Sequence, residues 1–87
     1  MRFEGTVVRD GRWWLAGVPL LEAMTQGRTR KEALVMIGDW FETMVDRKGF
    51  QATVYSCGSA EFEVAGSDAA AMTALLLSRS KFRTPLK

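Results

Sequence analysis

Apolar positions along this chain switch repeatedly between a two-residue and a three-to-four-residue period, and each switch marks an element. Residues 2–18 are rich in strand formers on both sides of Asp10-Gly11, the favoured two-residue turn of a β-hairpin. With that turn, Arg9 stands opposite Arg12. Phe3, Gly5, Val7, Trp14, Ala16 and Val18 then share one wholly apolar face, the expected core side. Glu4, Thr6, Val8, Trp13, Leu15 and Gly17 share the other, where Val8, Trp13 and Leu15 form an apolar cluster. Pro19 cannot donate to a ladder and closes the second strand. A short third strand is expected over 22–26, before a turn at Gly27.

Thr29 and Glu32 form a T-x-x-E capping box, in which each side chain satisfies a free amide of the other at a helix start. The helix is expected over 29–48. Ala33, Leu34, Ile37, Trp40, Phe41, Met44 and Val45 fall on one face, with Glu32, Asp39, Thr43, Asp46 and Arg47 opposite. Arg47 and Lys48 suit the negative helix end, and Gly49 is the expected left-handed stop. Gly38 costs such a helix about 1 kcal/mol relative to alanine, which points to close approach of the helix to a sheet. Val35 and Met36 lie off the apolar stripe where polar residues belong, so they are candidate surface contacts.

A second hairpin is expected over 50–64 with Gly58-Ser59 as its turn. Thr53, Tyr55, Cys57, Ala60, Phe62 and Val64 would share one face, with Tyr55 opposite Phe62. Ala52, Val54, Ser56, Glu61 and Glu63 would line the other. Ser67-Asp68 opens a second helix through Leu75-Leu76-Leu77 to about Lys81. The pattern implies an α+β domain. Its antiparallel sheet has three to five strands and is packed by one long helix, in the order β-β-β-α-β-β-α. The final helix is expected at the sheet edge or swapped onto a partner, with folding back over Trp13 as the alternative.

Eighty-seven residues make one domain, and a domain of this size buries only about 60–65% of its unfolded surface, so a homodimer or higher oligomer is expected. No apolar run approaches the roughly 18 residues of a membrane span, and the N-terminus lacks a signal-type stretch. With a lone cysteine, Cys57, the expected setting is a reducing cytoplasm. Net charge is +2, but Arg79, Lys81, Arg83 and Lys87 give residues 79–87 a charge of +4, leaving −2 on the rest. These four residues are candidate phosphate contacts, because a basic cluster beyond a folded body is a common nucleic-acid footprint.

Catalytic chemistry finds little to work with. The chain has no histidine, which removes the commonest general base and transition-metal ligand. Glu61 and Glu63 project on the same side of a strand, the pattern of a solvated face more than of a metal pair. The turn Thr25-Gln26-Gly27-Arg28-Thr29 is too short for a phosphate loop, and Glu32 competes for its amides. Cys57 has no basic neighbour in sequence to lower its pKa. No catalytic, metal or cofactor residue is therefore assigned.

The run from Trp14 to Ala33, W-L-A-G-V-P-L-L followed by T-Q-G-R-T-R-K-E-A, resembles the core of the HicB-like antitoxin family. That family shows an aromatic-x-Ala-x-x-Pro strand end, a T-x-G-x-T turn and E-A opening the helix. Where it commonly has Pro-Gly, this chain has Glu22-Ala23. The resemblance covers roughly residues 6–50 and implies a partial ribonuclease-H-like domain over 1–66. Residues 67–87 would then be a C-terminal helix and basic tail leading toward an absent DNA-binding segment. It further implies a non-catalytic protein that binds and neutralises a small HicA-like mRNA-cleaving toxin, with weak or no DNA binding by this chain alone. The alternative is an orphan HicB-like oligomerising or ligand-sensing accessory of a transcription regulator. A small nuclease would rest on fold analogy only. The candidate partner interface comprises Val8, Trp13, Leu15, Val35, Met36 and Leu77.

Overall fold

The computed structural model describes residues 2–79. Strands β1 (Arg2–Asp10) and β2 (Trp13–Val18) form a hairpin, and a 3-10 turn, Pro19–Leu21, leads into β3 (Ala23–Gly27). Helix α1 (Arg30–Met44) follows, then β4 (Ala52–Ser56), β5 (Glu61–Gly66) and helix α2 (Ala69–Arg79). The fold is α+β: all five strands lie in one antiparallel sheet ordered β3-β2-β1-β5-β4.

The first hairpin turns at Gly11-Arg12, not at Asp10-Gly11, and pairs Asp10 with Trp13 and Val7 with Ala16. Gly11 has φ 65, whereas Asp10 has no positive φ. A Gly-X turn of the II′ kind needs a left-handed residue only at its first central position, while an Asp-Gly turn of the I′ kind needs two. Sliding a two-residue turn by one position moves every partner by two, so the faces survive the shift. Phe3, Val7, Ala16 and Val18 are buried as expected, with Trp14 packed half-buried against them.

The second hairpin differs more. Cys57 N–H donates to the Glu61 carbonyl at 2.9 Å, closing a three-residue loop of Gly58, Ser59 and Ala60. One extra loop residue shifts the register by one and turns β4 over. Val54 therefore faces Val64, and Tyr55 faces Glu63, not Phe62. Ala52 and Val54 pack toward the core, while Thr53 and Tyr55 lie on the other side with Glu61 and Glu63. The loop is fixed from outside the hairpin, by Arg30 donating to the carbonyls of Gly58 (2.6 Å) and Ser59 (3.1 Å) and to Ser56 Oγ (2.8 Å).

Thr29 caps α1, its Oγ1 accepting from Glu32 N–H at 3.0 Å. The reciprocal bond goes one residue earlier than a standard capping box has it, from Arg28 N–H to Glu32 Oε1 at 2.6 Å. The helix ends at Met44, short of Lys48. Val45 takes an extended backbone that keeps its side chain in the core. Arg47 turns away from the helix end to pair with Asp68 at 2.6 Å. Gly49, at φ 84, serves the turn in which Phe50 N–H donates to the Arg47 carbonyl at 3.1 Å. That turn buries Phe50 and aims the chain into β4.

Both helices cover the same face of the sheet. A Cβ on Gly38 would meet Val54 Cγ2 at 3.3 Å, so α1 does approach the sheet closely where its glycine stands. Asp68 caps helix α2, its Oδ1 accepting from Ala71 N–H at 3.1 Å. Met72 of α2 packs on Gly66, and Ala71, Met72 and Leu75 join one core with Phe41, Phe62, Ile37 and Leu21. The alternative in which the last helix covers Trp13 is overturned, because that side belongs to the opposite face.

Candidate functional site

Alternation sends Val8, Trp13, Leu15, Gly17, Met24 and Gln26 to the sheet face away from the helices. The pairing sets Val8 beside Leu15 and Leu15 beside Gln26, so one row crosses three strands. Met24 stands opposite Gly17 and lays its thioether across that residue, where a Cβ would meet it at 3.4 Å. Trp13, opposite Asp10, has the Arg28 guanidinium 6.0 Å from its ring centre. Val8 is 48% and Met24 62% exposed, so this strip is open to solvent.

The same face turns acidic across β1 and β5. Glu4 stands opposite Glu63, and Thr6 opposite Glu61. Like charges directly opposed across strands repel, and Arg2 offsets this by donating to Glu63 Oε1 at 2.9 Å with its guanidinium 4.6 Å over the Tyr55 ring. The hydrogen bond to Glu63 holds Arg2 still further toward its protonated form. Glu4, Thr6, Pro19, Cys57, Glu61 and Glu63 border an open depression of about 340 Å³. Among the described residues no three or more carboxylates, cysteines or histidines are grouped to hold a metal ion. Glu4 was missed as a neighbour of Glu63 because they are 59 positions apart, and only the β1–β5 pairing joins them.

The six interface candidates do not form one surface. Val8, Trp13 and Leu15 lie together on the open face. Val35 borders a groove of about 460 Å³ between α1 and β4, with Leu34, Gly38 and Val54. Met36, one residue on, points to the other flank of α1, the side of Trp40. Leu77 is 66% exposed on α2. Of the basic candidates, Arg79 is held within the fold: its Nε donates to the Leu21 carbonyl at 3.0 Å and its guanidinium lies 5.2 Å over the Trp40 ring. Lys81, Arg83 and Lys87 lie outside the described residues. The Thr25–Thr29 turn spends the Arg28 and Glu32 amides on its own cap.

Asp68 ties α2 to the rest of the fold. The Ala71 amide, aided by Arg47, holds its carboxyl below the ordinary aspartate value of 3.8. A depressed folded pKa contributes stability that is complete above the unfolded value and is lost as pH falls through the folded one. Asp68→Asn keeps a capping side chain but not the charge. At neutral pH the wild type should melt higher than this variant, and the gap should close as pH falls below about 3.8. A gap unchanged at pH 2 would show that the charge contributes nothing.

No helix among the described residues is long and apolar enough to cross a membrane. Compared with family models, curated proteins and solved structures, the chain matches none.

Proposed function

We propose that this chain is a HicB-like antitoxin domain, a non-catalytic cytoplasmic module that binds a small HicA-like mRNA-cleaving toxin and covers its active surface. The resemblance over residues 14–33 supports the family. The observation that carries the binding role is the open sheet face, where Val8, Trp13, Leu15 and Met24 adjoin Glu4, Glu61 and Glu63. An apolar anchor with an acidic border suits a basic ribonuclease. Apolar contact supplies affinity, and the carboxylates steer a positively charged partner and compete with its RNA.

The test is titration of the chain into a purified HicA-like toxin, with RNA cleavage and calorimetry as readouts. Binding should suppress cleavage, and the chain alone should leave RNA intact with Mg²⁺ or Mn²⁺. Trp13→Ala should weaken association by about 2 kcal/mol, roughly thirtyfold, with little change in melting temperature. Undiminished affinity in Trp13→Ala and Leu15→Ala would remove this face from the interface. Failure to bind any HicA-like toxin would favour the orphan accessory reading.

A further inference from the structure

Charge on this chain is divided by place. Strand pairing brings the turn of the first hairpin and the turn between β3 and α1 to one end of the sheet, since Trp14 pairs with both Arg9 and Gly27. Those two turns, residues 9–12 and 28–32, carry five cations, Arg9, Arg12, Arg28, Arg30 and Lys31, against Asp10 and Glu32. The other described residues carry four cations, Arg2, Arg47, Lys48 and Arg79, against eight carboxylates.

Pairing within the fold leaves the basic end unneutralised. Among the described residues the ion pairs join Arg2 to Glu63 and Arg47 to Asp68, both toward the other end of the sheet. Met1 and residues 80–87 contain no aspartate or glutamate, so they supply no carboxylate side chain either. Glu32 spends its Oε1 on the Arg28 amide. Arg30 is committed to the loop of the second hairpin, and Lys31 borders the groove on the β4 side. That leaves Arg9, Arg12 and Arg28, all exposed, in the two turns that flank the half-buried ring of Trp13. Arg9 Nε donates to the Gly11 carbonyl at 3.0 Å, which holds the side chain against the hairpin turn. The Arg28 guanidinium, 6.0 Å from the Trp13 ring centre, stands at the outer limit of a cation–π contact.

We propose that this end of the sheet binds single-stranded nucleic acid through its phosphate backbone, without sequence preference. Guanidiniums with no carboxylate partner are fork-shaped phosphate donors, and an adjoining half-exposed aromatic ring is a stacking platform for an unpaired base. A duplex keeps its bases stacked on one another and gains only the phosphate contacts. The proposal stands whether or not a toxin binds the acidic border of the open face.

Fluorescence anisotropy of a labelled, mixed-sequence single-stranded RNA, titrated with the full chain and no toxin, tests it. The dissociation constant should fall in the range of about 1–100 μM, with a log–log salt slope of about −2 for three phosphate contacts on a single strand. Arg12→Glu and Arg28→Glu should each weaken binding about fivefold or more at low salt, whereas Lys48→Glu, the same charge change at an exposed turn before β4, should alter it by less than about twofold. Arg12 lies outside the core, so its reversal decides the matter if Arg28→Glu, beside the helix cap, fails to fold. Trp13→Ala should also weaken binding, and duplex DNA of the same length should bind less tightly than the RNA. No binding at about 100 μM chain in low salt overturns the proposal. So does a loss at Lys48→Glu equal to that at Arg12→Glu, or equal affinity for the duplex or for phosphatidylserine vesicles. Binding that Lys81→Glu with Arg83→Glu abolishes, and Arg12→Glu leaves intact, overturns it too. Toxin binding is read separately, so its failure leaves this result intact.

Discussion

Phe62→Ala is expected to cost about 3–5 kcal/mol, the range for removing a large aromatic side chain from a core that cannot collapse around the gap. Phe62 is fully buried on β5 and its ring lies across Gly5 on β1. There it fills the space that a side chain on the neighbouring strand would otherwise take. A domain of this size holds roughly 5–13 kcal/mol in total, so the loss removes a large part of its stability and should lower the melting temperature by about 15 °C or more. Trp14 gives the comparison. Its position in the alternation marks it as a core residue, yet it is only half-buried, near the start of β2. Trp14→Ala should therefore cost less than Phe62→Ala. Thermal melts of the two variants side by side check this, and the reverse order would mean that the sheet packs around Trp14.

Gly5→Ala is the second large effect, expected at about 3 kcal/mol. A Cβ at Gly5 would overlap both the Phe62 ring and the Gly17 carbonyl oxygen. The ring belongs to a side chain, but one that is buried and has nowhere to go. The carbonyl belongs to β2, whose place is set by its pairing with β1 and β3. Overpacking of this kind usually costs 1–3 kcal/mol, and the backbone clash puts it at the upper end. Adding Phe62→Leu should recover only part of the loss, because shrinking the ring leaves the carbonyl in place. Urea denaturation of wild type, both single variants and the double variant reads that coupling as non-additivity. Strict additivity would show that the ring is not what excludes the side chain.

Much of this architecture was legible in the chain because it is local. Thr29 and Glu32 announced the start of α1, Asp68 that of α2, and Gly11 the first hairpin, each through bonds that span only a few residues. The core face of β1 and β2 was readable because two-residue alternation survives an error in the turn, provided the error moves each partner by an even number. Gly38 was readable as a close approach because a helix tolerates glycine at a cost that packing must offset.

Tertiary structure decided what depends on residues distant in sequence. The face of β4 hinges on one loop residue, and Arg30, 28 positions from Gly58, holds that loop in its three-residue form. The end of α1 was misplaced because Val45 satisfies the helical period as well as it satisfies the core, and Arg47 finds Asp68 only once α2 has docked. Glu4 joins Glu61 and Glu63, and Arg79 reaches Leu21 and Trp40, through sheet pairing and helix packing that no local pattern encodes. The guarding of the β4 edge by Glu42 and Arg30 is of the same kind. Strand order fixes which strands are edges, and that order is set by contacts between segments far apart in the chain. Local sequence determines where this chain bends and which side of a segment is apolar. The assembled core determines which of those sides is left facing solvent.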